Sequence, residues 1–540
     1  MTRIALYDTT LRDGTQAEDI NLNSEDKLKI AIKLDALGVD YVEGGWPASN
    51  ATDKAFFYEI AHYDLKHARI AAFGSTHNPK NSAAADANLK ALIEVRTPVI
   101  TIFGKTWDAH VKHALRVDRE RNLQLITDSL AFLRPHCQEL FFDAEHFFDG
   151  FKADPEYALA CLTRAHEAGA DALVLCDTNG GSLPRQVAEA MQRVREVLPA
   201  ATLGIHPHND SELAVANAIE AVQQGARQVQ GTINGYGERC GNANLCSIIP
   251  ILELKSEGQY SCLPPGNLGL LTYTASYVAE VANVQLFSRQ PYVGRSSFAH
   301  KGGVHVSAVL RDSALYEHIA PDAVGNRQRV LLSELAGRSN IVNMAKRYGF
   351  HMDKDEPVVK GLLAELKKKA SLGYDYAAAE ASVELLLLRK LARRGVREFF
   401  TLLQFHVHDY KDSSTANPVS EASVMVEVEG VVEHTAAMGQ GPVNALDNAL
   451  RKALSGFYPR LAEVRLLDFK VRVLSAGHNT EGGTASSVRV LIESGDQLSR
   501  WVTVGVSYDI IEASWQALVD SITYKLYKDE QVRRSKNEDE

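Results

Sequence analysis

From residue 3 to about residue 258 the chain alternates between short apolar runs and longer stretches in which apolar residues recur at helical spacing. The apolar runs are 4–7, 41–44, 70–73, 99–103, 139–142, 172–176, 202–205 and 228–233. Several are almost unbroken Val, Ile, Leu and Phe, as expected of strands covered on both faces. Between them, 25–37, 83–95, 120–133, 155–168, 184–197 and 212–224 carry helix formers at 3.6-type spacing. Eight such strands alternating with helices predict an α/β fold, a (β/α)8 TIM barrel over residues 1–263. A doubly wound open sheet is the structural alternative. It is the weaker one, because no G-x-G-x-x-G follows the first strand.

The pattern changes twice after the barrel. Residues 264–397 are mostly helical in spacing and predict helical linker subdomains, interrupted by the segment 298–325. From 398 to 530 the periodicity turns to that of strands and repeats itself, predicting a C-terminal α+β regulatory domain of duplicated βββα modules. The first module places strands at 399–406, 423–429 and 431–435 before a helix at 442–454. The second places them at 467–474, 486–492 and 501–506 before a helix at 509–526. A shift of 64 residues superposes Gly441 on Gly505 and Ala449, Ala453 and Leu454 on Ala513, Ala517 and Leu518. The nearly all-charged tail 531–540 is expected to be disordered.

Composition narrows the function classes. A formal charge of −10, from 68 acidic and 58 basic residues, disfavours nucleic-acid and anionic-membrane partners. No stretch approaches the roughly 20 uninterrupted apolar residues of a membrane span, and no signal-like segment opens the chain. The six cysteines are scattered without a C-x-x-C, which points to a reducing, cytoplasmic setting rather than to disulfides or a zinc knuckle.

Candidate chemistry lies at the strand exits, where barrel active sites are built. The first strand runs into Leu-Tyr-Asp-Thr-Thr-Leu-Arg-Asp-Gly-Thr-Gln, and the later exits carry Glu43, Lys105, Asp143 with Glu145, Asp177 with Thr178, and His206-Pro-His208-Asn209-Asp210. At a side-chain period of two, His206 and His208 point to the same side of their strand. Two neutral imidazoles with Asp13 from the first strand suit a first-row divalent ion, and Asn242 can add an amide oxygen. A lone His-x-His is more often a hydrogen-bonded structural pair. His406-Val-His408 has the same spacing without the acids, and is read that way. After the eighth strand, Gly235-Tyr-Gly237-Glu238-Arg239-Cys240-Gly241-Asn242 offers glycines that permit close backbone approach, a landing place for a phosphate-bearing cosubstrate. His305, with Tyr316 eleven residues beyond, is a candidate general base.

D-T-T-L-R-D-G-T-Q, H-P-H-N-D and G-Y-G-E-R-C-G-N-A together resemble the signatures of the α-isopropylmalate and homocitrate synthase family, metal-dependent barrel enzymes acting beside a 2-oxo acid. E-G-G-W-P-A-S-N (43–50), G-K-T-W-D-A-H-V (104–111) and F-A-H-K-G-G-V-H (298–305) look like the members that take pyruvate and give citramalate, towards isoleucine. Likewise G-V-S-Y-D-I-I-E-A-S-W-Q-A-L (505–518) is similar to the family's regulatory, dimer-forming domain.

The resemblance implies that Asp13, His206 and His208 bind a divalent metal (Mn²⁺, Mg²⁺ or Zn²⁺), with Asn242 close by. Arg12 would steady the oxo group, Glu145 would be the acid after the fifth strand, Thr178 would grip the substrate carboxylate, and Gln16 would support the metal's water shell. His305 and Tyr316 would be a catalytic pair delivered from a partner subunit. Acetyl-CoA is then the cosubstrate, with Gly235, Gly237, Glu238 and Arg239 beside it. The assembly would be a homodimer with an isoleucine or leucine effector. Gly-Gly-Trp at the second exit, where isopropylmalate synthases have Gly-Phe, argues against a branched oxo acid; Phe103 and Phe142 are expected to narrow the pocket. A larger 2-oxo acid is the alternative, then a barrel lyase or aldolase, and last a non-enzymatic amino-acid-binding regulator.

Overall fold

The computed structural model describes all residues except 301–302, 310, 331–337, 348–350, 377–378, 392–397, 412, 414–416, 475–485, 497–498 and 539–540. Eight parallel strands close into a barrel: β1 (Ala5–Asp8), β2 (Tyr41–Gly45), β3 (Arg69–Ser75), β4 (Val99–Lys105), β5 (Glu139–Glu145), β6 (Ala172–Asp177), β7 (Leu203–Pro207) and β8 (Gln228–Gly231). Closure is direct, Ala5 to Asp8 pairing with Gln228 to Gly231. The predicted TIM barrel is therefore the fold, and the open sheet is excluded.

Alternation along the strands sets what each side chain faces. On the inside, Tyr7, Tyr41, Ala71, Val99, Phe141 and Ala172 form one small apolar cluster of their own. The outward residues, among them Leu6, Val42, Leu140, Phe142, Leu173 and Ile205, join the large core under the helices. Helices Ser24–Leu37, Arg119–Leu133, Pro155–Glu167 and Pro184–Val197 follow the predicted spacing closely. Their ends carry local stop and start signals. Asn23 and Asp26 form a capping box, and Gly38 ends the helix in the left-handed region at φ 97°.

Phe142 does not narrow a pocket. It is fully buried against the outer helices, and a Cβ on Gly104 would lie 2.7 Å from its ring. Residues 141, 143 and 145 take the inward positions of β5, so strand alternation sends 142 outward.

The chain forms two compact units: Met1–Phe298 with Glu317–Gln328, and Ala299–Tyr316 with Arg329–Glu540. In the second, helices Arg338–Arg347, Pro357–Ser371 and Glu380–Leu391 share a core with Val502 and Val504 of a later strand. Two three-stranded antiparallel sheets follow, β9 (Thr401–Tyr410), β10 (Val419–Val428) and β11 (Val431–Gly439), then β12 (Arg465–Val473), β13 (Val488–Gly495) and β14 (Arg500–Ser507). Helices Pro442–Leu454 and Ile510–Glu538 pack on them in one common core.

The duplicated βββα modules are thus present: their second and third strands and their helices repeat at 68 residues, whereas their first strands, with matching bulges at Leu402/Gln404 and Leu466/Asp468, repeat at 64. Thr435 Oγ1 donates to the Ala449 carbonyl at 2.7 Å, and Thr503 Oγ1 to that of Ala517 at 2.6 Å. Gly441 precedes a helix, whereas Gly505 lies inside β14. A shift of four residues returns to the same helix face, which is why alanine spacing alone misplaces the register.

The last helix continues to Glu538, through residues whose composition predicts disorder. A docked helix propagates into a charged run that has no Gly or Pro to stop it. Two expectations lie outside the described residues, the boundary at 397 and residues 301–302 of the run before His305. Among the described residues no helix is long and apolar enough to cross a membrane.

Candidate active site at the mouth of the barrel

The turn after β1 is built from its own polar side chains. Asp8 faces outward and accepts from the Thr10 amide and hydroxyl, both at 2.9 Å, while Thr10 Oγ1 accepts from the Ile233 amide at 2.9 Å. The turn is thereby tied to the exit of β8 and delivers Arg12 and Asp13 over the mouth. Glu43, fully buried at the end of β2, accepts from Tyr7 Oη, Thr9 Oγ1 and Arg12 Nε, each at 2.6 Å. Arg12 Nη1 donates to Asp13 Oδ2 at 2.9 Å, and its guanidinium lies 3.7 Å over the Phe73 ring. Its remaining nitrogen, Nη2, has no hydrogen-bond partner among the described residues, and is the donor available to an anion.

Asp13, His206 and His208 converge as the sequence predicts. They are 3%, 4% and 7% exposed, and one donor atom from each lies within 4.8 Å of the others. His206 Nε2 is 3.4 Å from Asp13 Oδ2. Its Nδ1 meets Gln230 Oε1 at 2.7 Å, and Gln230 Nε2 donates to Asp143 Oδ1 at 3.1 Å. An amide oxygen facing Nδ1 selects the tautomer whose Nε2 lone pair is free for a metal.

Asn242 pairs with His208 across a short bridge and donates Nδ2 to the Tyr236 carbonyl at 3.1 Å, so its amide oxygen is turned the other way. Asp13 Oδ1, His208 Nδ1 and Asn242 Oδ1 are buried without a hydrogen-bond partner. A buried acceptor left unpaired costs about 1–3 kcal/mol, so three at one mouth mark a place made for a cation. Two imidazoles, a carboxylate and an amide oxygen fit a divalent ion.

The charges agree with that fit at Asp13 and His208. At His206 burial is outweighed by the Asp13 carboxylate, which raises it to about 8, and a bound cation would displace that proton. Burial alone would raise Asp13, but Arg12 and the two histidines hold it well below the usual carboxylate range. Burial and the neighbouring His206 push His208 down to about 4, which keeps its lone pair free at neutral pH. Asp143 is pushed up to about 7 by burial and by the Glu43 carboxylate.

Other predicted residues are spread around the rim. Glu145 ends β5 and is ion-paired with Lys105 at the end of β4. Thr178 Oγ1 accepts from the His146 amide at 2.8 Å, leaving its own hydrogen free to donate. Phe103 is half-buried at the mouth, and Gln16 is exposed on the turn Gly14–Gln16.

In the loop after β8 the glycines have a packing role. A Cβ on Gly237, at φ 152°, would overlap the Asn242 amide, and one on Gly241 would overlap the Gly235 carbonyl. The Gly235 amide donates to the Thr232 carbonyl at 3.2 Å. Arg239 binds Asp210 through Nε and Nη2 at 2.8 and 2.9 Å, with Glu238 exposed beside it. His305 and Tyr316 stack at 4.3 Å, both exposed, within the second compact unit.

Two supports of the site have no role in the sequence pattern, Gln230 and Phe73; Glu43 and Asp143 stand there among the strand-exit residues and Trp46 in the Gly-Gly-Trp of the second exit, without the partners that the structure gives them. One signal is present. β8 places Gln228, Gln230 and Thr232 at successive inward positions, a polar stripe inside a barrel, where apolar residues are the rule.

A closed barrel with a buried acid–imidazole cluster that could hold a metal ion at its C-terminal mouth defines the class, and comparison with known sequences gives the same class. Residues 3–268 match the HMGL-like family, 292–373 the homocitrate synthase post-HMGL domain-like family, and 377–526 the LeuA allosteric (dimerisation) domain. The chain is 56% identical over 536 residues to an (R)-citramalate synthase of Geobacter sulfurreducens, covering 99% of this chain and 100% of that protein. It is 51% identical over 529 residues to the (R)-citramalate synthase of Aquifex aeolicus, covering 98% and 99%. A 2-isopropylmalate synthase of Carboxydothermus hydrogenoformans is 30% identical over 549 residues, covering 99% and 100%. The chain belongs to the (R)-citramalate synthase family.

Proposed function

We propose that the protein condenses acetyl-CoA with pyruvate to give (R)-citramalate and CoA, a step towards isoleucine in the cytoplasm. One observation carries the reading: the buried Asp13, His206 and His208 beside Arg12, in a chain 56% identical to an (R)-citramalate synthase over nearly its whole length. Asp13, His206 and His208, with Asn242, would hold a divalent ion (Mn²⁺, Mg²⁺ or Zn²⁺, according to availability), and the chemistry such an ion supplies is polarisation of a ketone.

The chain's own residues do the rest. Arg12, fixed by Glu43, faces the anionic 2-oxo acid and stabilises the negative charge that develops on the oxo oxygen. Thr178 donates its free hydroxyl hydrogen to the substrate carboxylate. His305 and Tyr316, delivered from a partner subunit, would be the proton-transfer pair, with Glu145 as the acid at the rim. The base removes a proton from the acetyl methyl, and the resulting carbon nucleophile adds to the ketone carbon. The former oxo oxygen takes up a proton as the hydroxyl, and water then cleaves the thioester, releasing a carboxylate and the CoA thiol. Arg239 and Glu238, with Gly235 and Gly237, form the rim assigned to CoA, and Gln16 supports the ion's water shell. Residues 398–530 would form the homodimer and bind isoleucine or leucine, with 264–397 linking them to the barrel domain 1–263.

The test is acetyl-CoA-dependent thiol release with pyruvate, 2-oxobutyrate, 2-oxoisovalerate and 2-oxoglutarate, each with Mn²⁺ or Mg²⁺ and again with EDTA. Pyruvate is expected to exceed the others, with the activity lost in EDTA. Preference for 2-oxoisovalerate or 2-oxoglutarate would keep the mechanism and overturn the substrate. Silence with all four would favour the lyase reading.

A further inference from the structure

We propose that Trp46 sets the upper size limit on the 2-oxo acid, by holding Phe73 and Phe103 as one rigid apolar wall beside Arg12. The proposal rests on the reading just given and names the element that makes the site selective. Trp46 follows β2, and Phe73 and Phe103 take inward positions on the next two strands, β3 and β4. The two phenyl rings stack at 5.5 Å with 23° between planes. Trp46 meets both edge-on, at 5.9 Å and 87° to Phe73 and 5.8 Å and 84° to Phe103. Arg12, the cation proposed to steady the oxo group of the substrate, lies on the Phe73 ring. A 2-oxo acid anchored there meets the Phe73 ring, and through it the wall that Phe103 and Trp46 complete.

What distinguishes this wall from ordinary aromatic packing is how firmly the indole is held. Its N–H donates to Asn88 Oδ1 at 2.6 Å, and Asn88 Nδ2 is itself fixed on the Ser75 carbonyl at 2.8 Å. The Trp46 backbone amide donates to Asp53 Oδ2 at 2.8 Å. Asp53 is ion-paired with buried Lys27, which also donates to the Gly44 carbonyl at 3.2 Å. Gly44 and Gly45 have no room for a Cβ: one would overlap the Phe56 ring, the other the Asp53 carboxylate. The exit of β2 is therefore clamped from both sides, and the ring that it carries is tethered at its polar edge.

A wall that can retreat rejects an extra methylene weakly. One extra methylene in an apolar pocket is worth about 10–200-fold, and a wall that cannot retreat rejects it more firmly than one that can. This clamp has no role in binding the metal or moving protons, so its purpose is shape.

The experiment compares wild type with Trp46→Leu, Trp46→Phe and Asn88→Leu. It reads the ratio of kcat/KM for pyruvate to kcat/KM for 2-oxobutyrate, which is one methylene longer. Trp46→Leu is expected to lower the ratio about 10-fold or more. Trp46→Phe should fall between it and wild type. Asn88→Leu, which keeps the indole but frees it, should lower the ratio by a smaller factor and serves as the test should Trp46→Leu not fold. A ratio unchanged within about twofold in a folded, pyruvate-active Trp46→Leu or Asn88→Leu protein would overturn the proposal and leave the function standing. A wild type that turns over neither acid would remove the function, and this proposal with it.

Discussion

Two His-x-His pairs occur in this chain, and their fates differ. His206 and His208 lie on β7 of the closed barrel, almost fully buried, with Asp13 against them. His406 and His408 lie on β9, an edge strand, exposed, opposite Ser423 and Glu421 of the neighbouring strand. The local geometry is the same: period two puts both rings of each pair on one side of a strand. The difference is in what stands across from them. Inside a closed barrel the inward side of one strand faces the inward sides of the others, so acid and amide groups from distant parts of the chain converge on it. An edge strand of a small sheet offers only solvent and one neighbour.

The largest test of that comparison is to remove a group the two pairs do not share. Asp13→Asn should lower kcat about 10³-fold or more and abolish retention of a divalent ion after dialysis, measured by elemental analysis. His406→Ala with His408→Ala should leave both quantities unchanged, and a loss of metal in that double variant would break the comparison. A second test asks whether support behind the ring matters as much as the ring. Gln230→Leu removes the partner of His206 Nδ1. It should weaken metal binding by about 10–100-fold in a titration, with the fold unchanged by circular dichroism. A smaller effect is expected at Gly237→Ala, where the new Cβ pushes on the Asn242 amide and φ is 152°. Strain of about 1–3 kcal/mol should appear as a roughly tenfold lower kcat/KM with acetyl-CoA and pyruvate. An unchanged value would show that Asn242 is not needed in place.

Much of this architecture is legible in the amino-acid sequence. The eight strands, most of the helices and the convergence of Asp13 with His206 and His208 follow from periodicity and from the geometry of a closed barrel. The failures are equally instructive. Phe142, aromatic and at a strand end, has the sequence signature of a pocket residue. One residue of register sends it outward, and Phe73, with Trp46 packed against it, stands beside Arg12 instead. The internal repeat is visible in the sequence, but alanine spacing sets it at 64 residues. Alanines spaced by four match equally well one turn away, and the paired threonine bonds fix the helices at 68. The glycine-rich loop has the spacing of a phosphate cradle, and the structure adds a packing role that the spacing does not show: Gly237 makes room for the Asn242 side chain and Gly241 for the Gly235 carbonyl.

The sequence by itself therefore determined the alternation of strands and helices, which side of its own strand each residue shares with its neighbours, and the family to which the chain belongs. These are properties of spacing over a few residues, or of motifs carried in single segments. Only the tertiary structure decided which shared side faces inward, which His-x-His has an acid across from it, and which aromatic residues meet at the mouth. Those outcomes depend on the registry and closure of eight strands drawn from over two hundred residues of chain, and no local pattern encodes a relation among side chains that far apart.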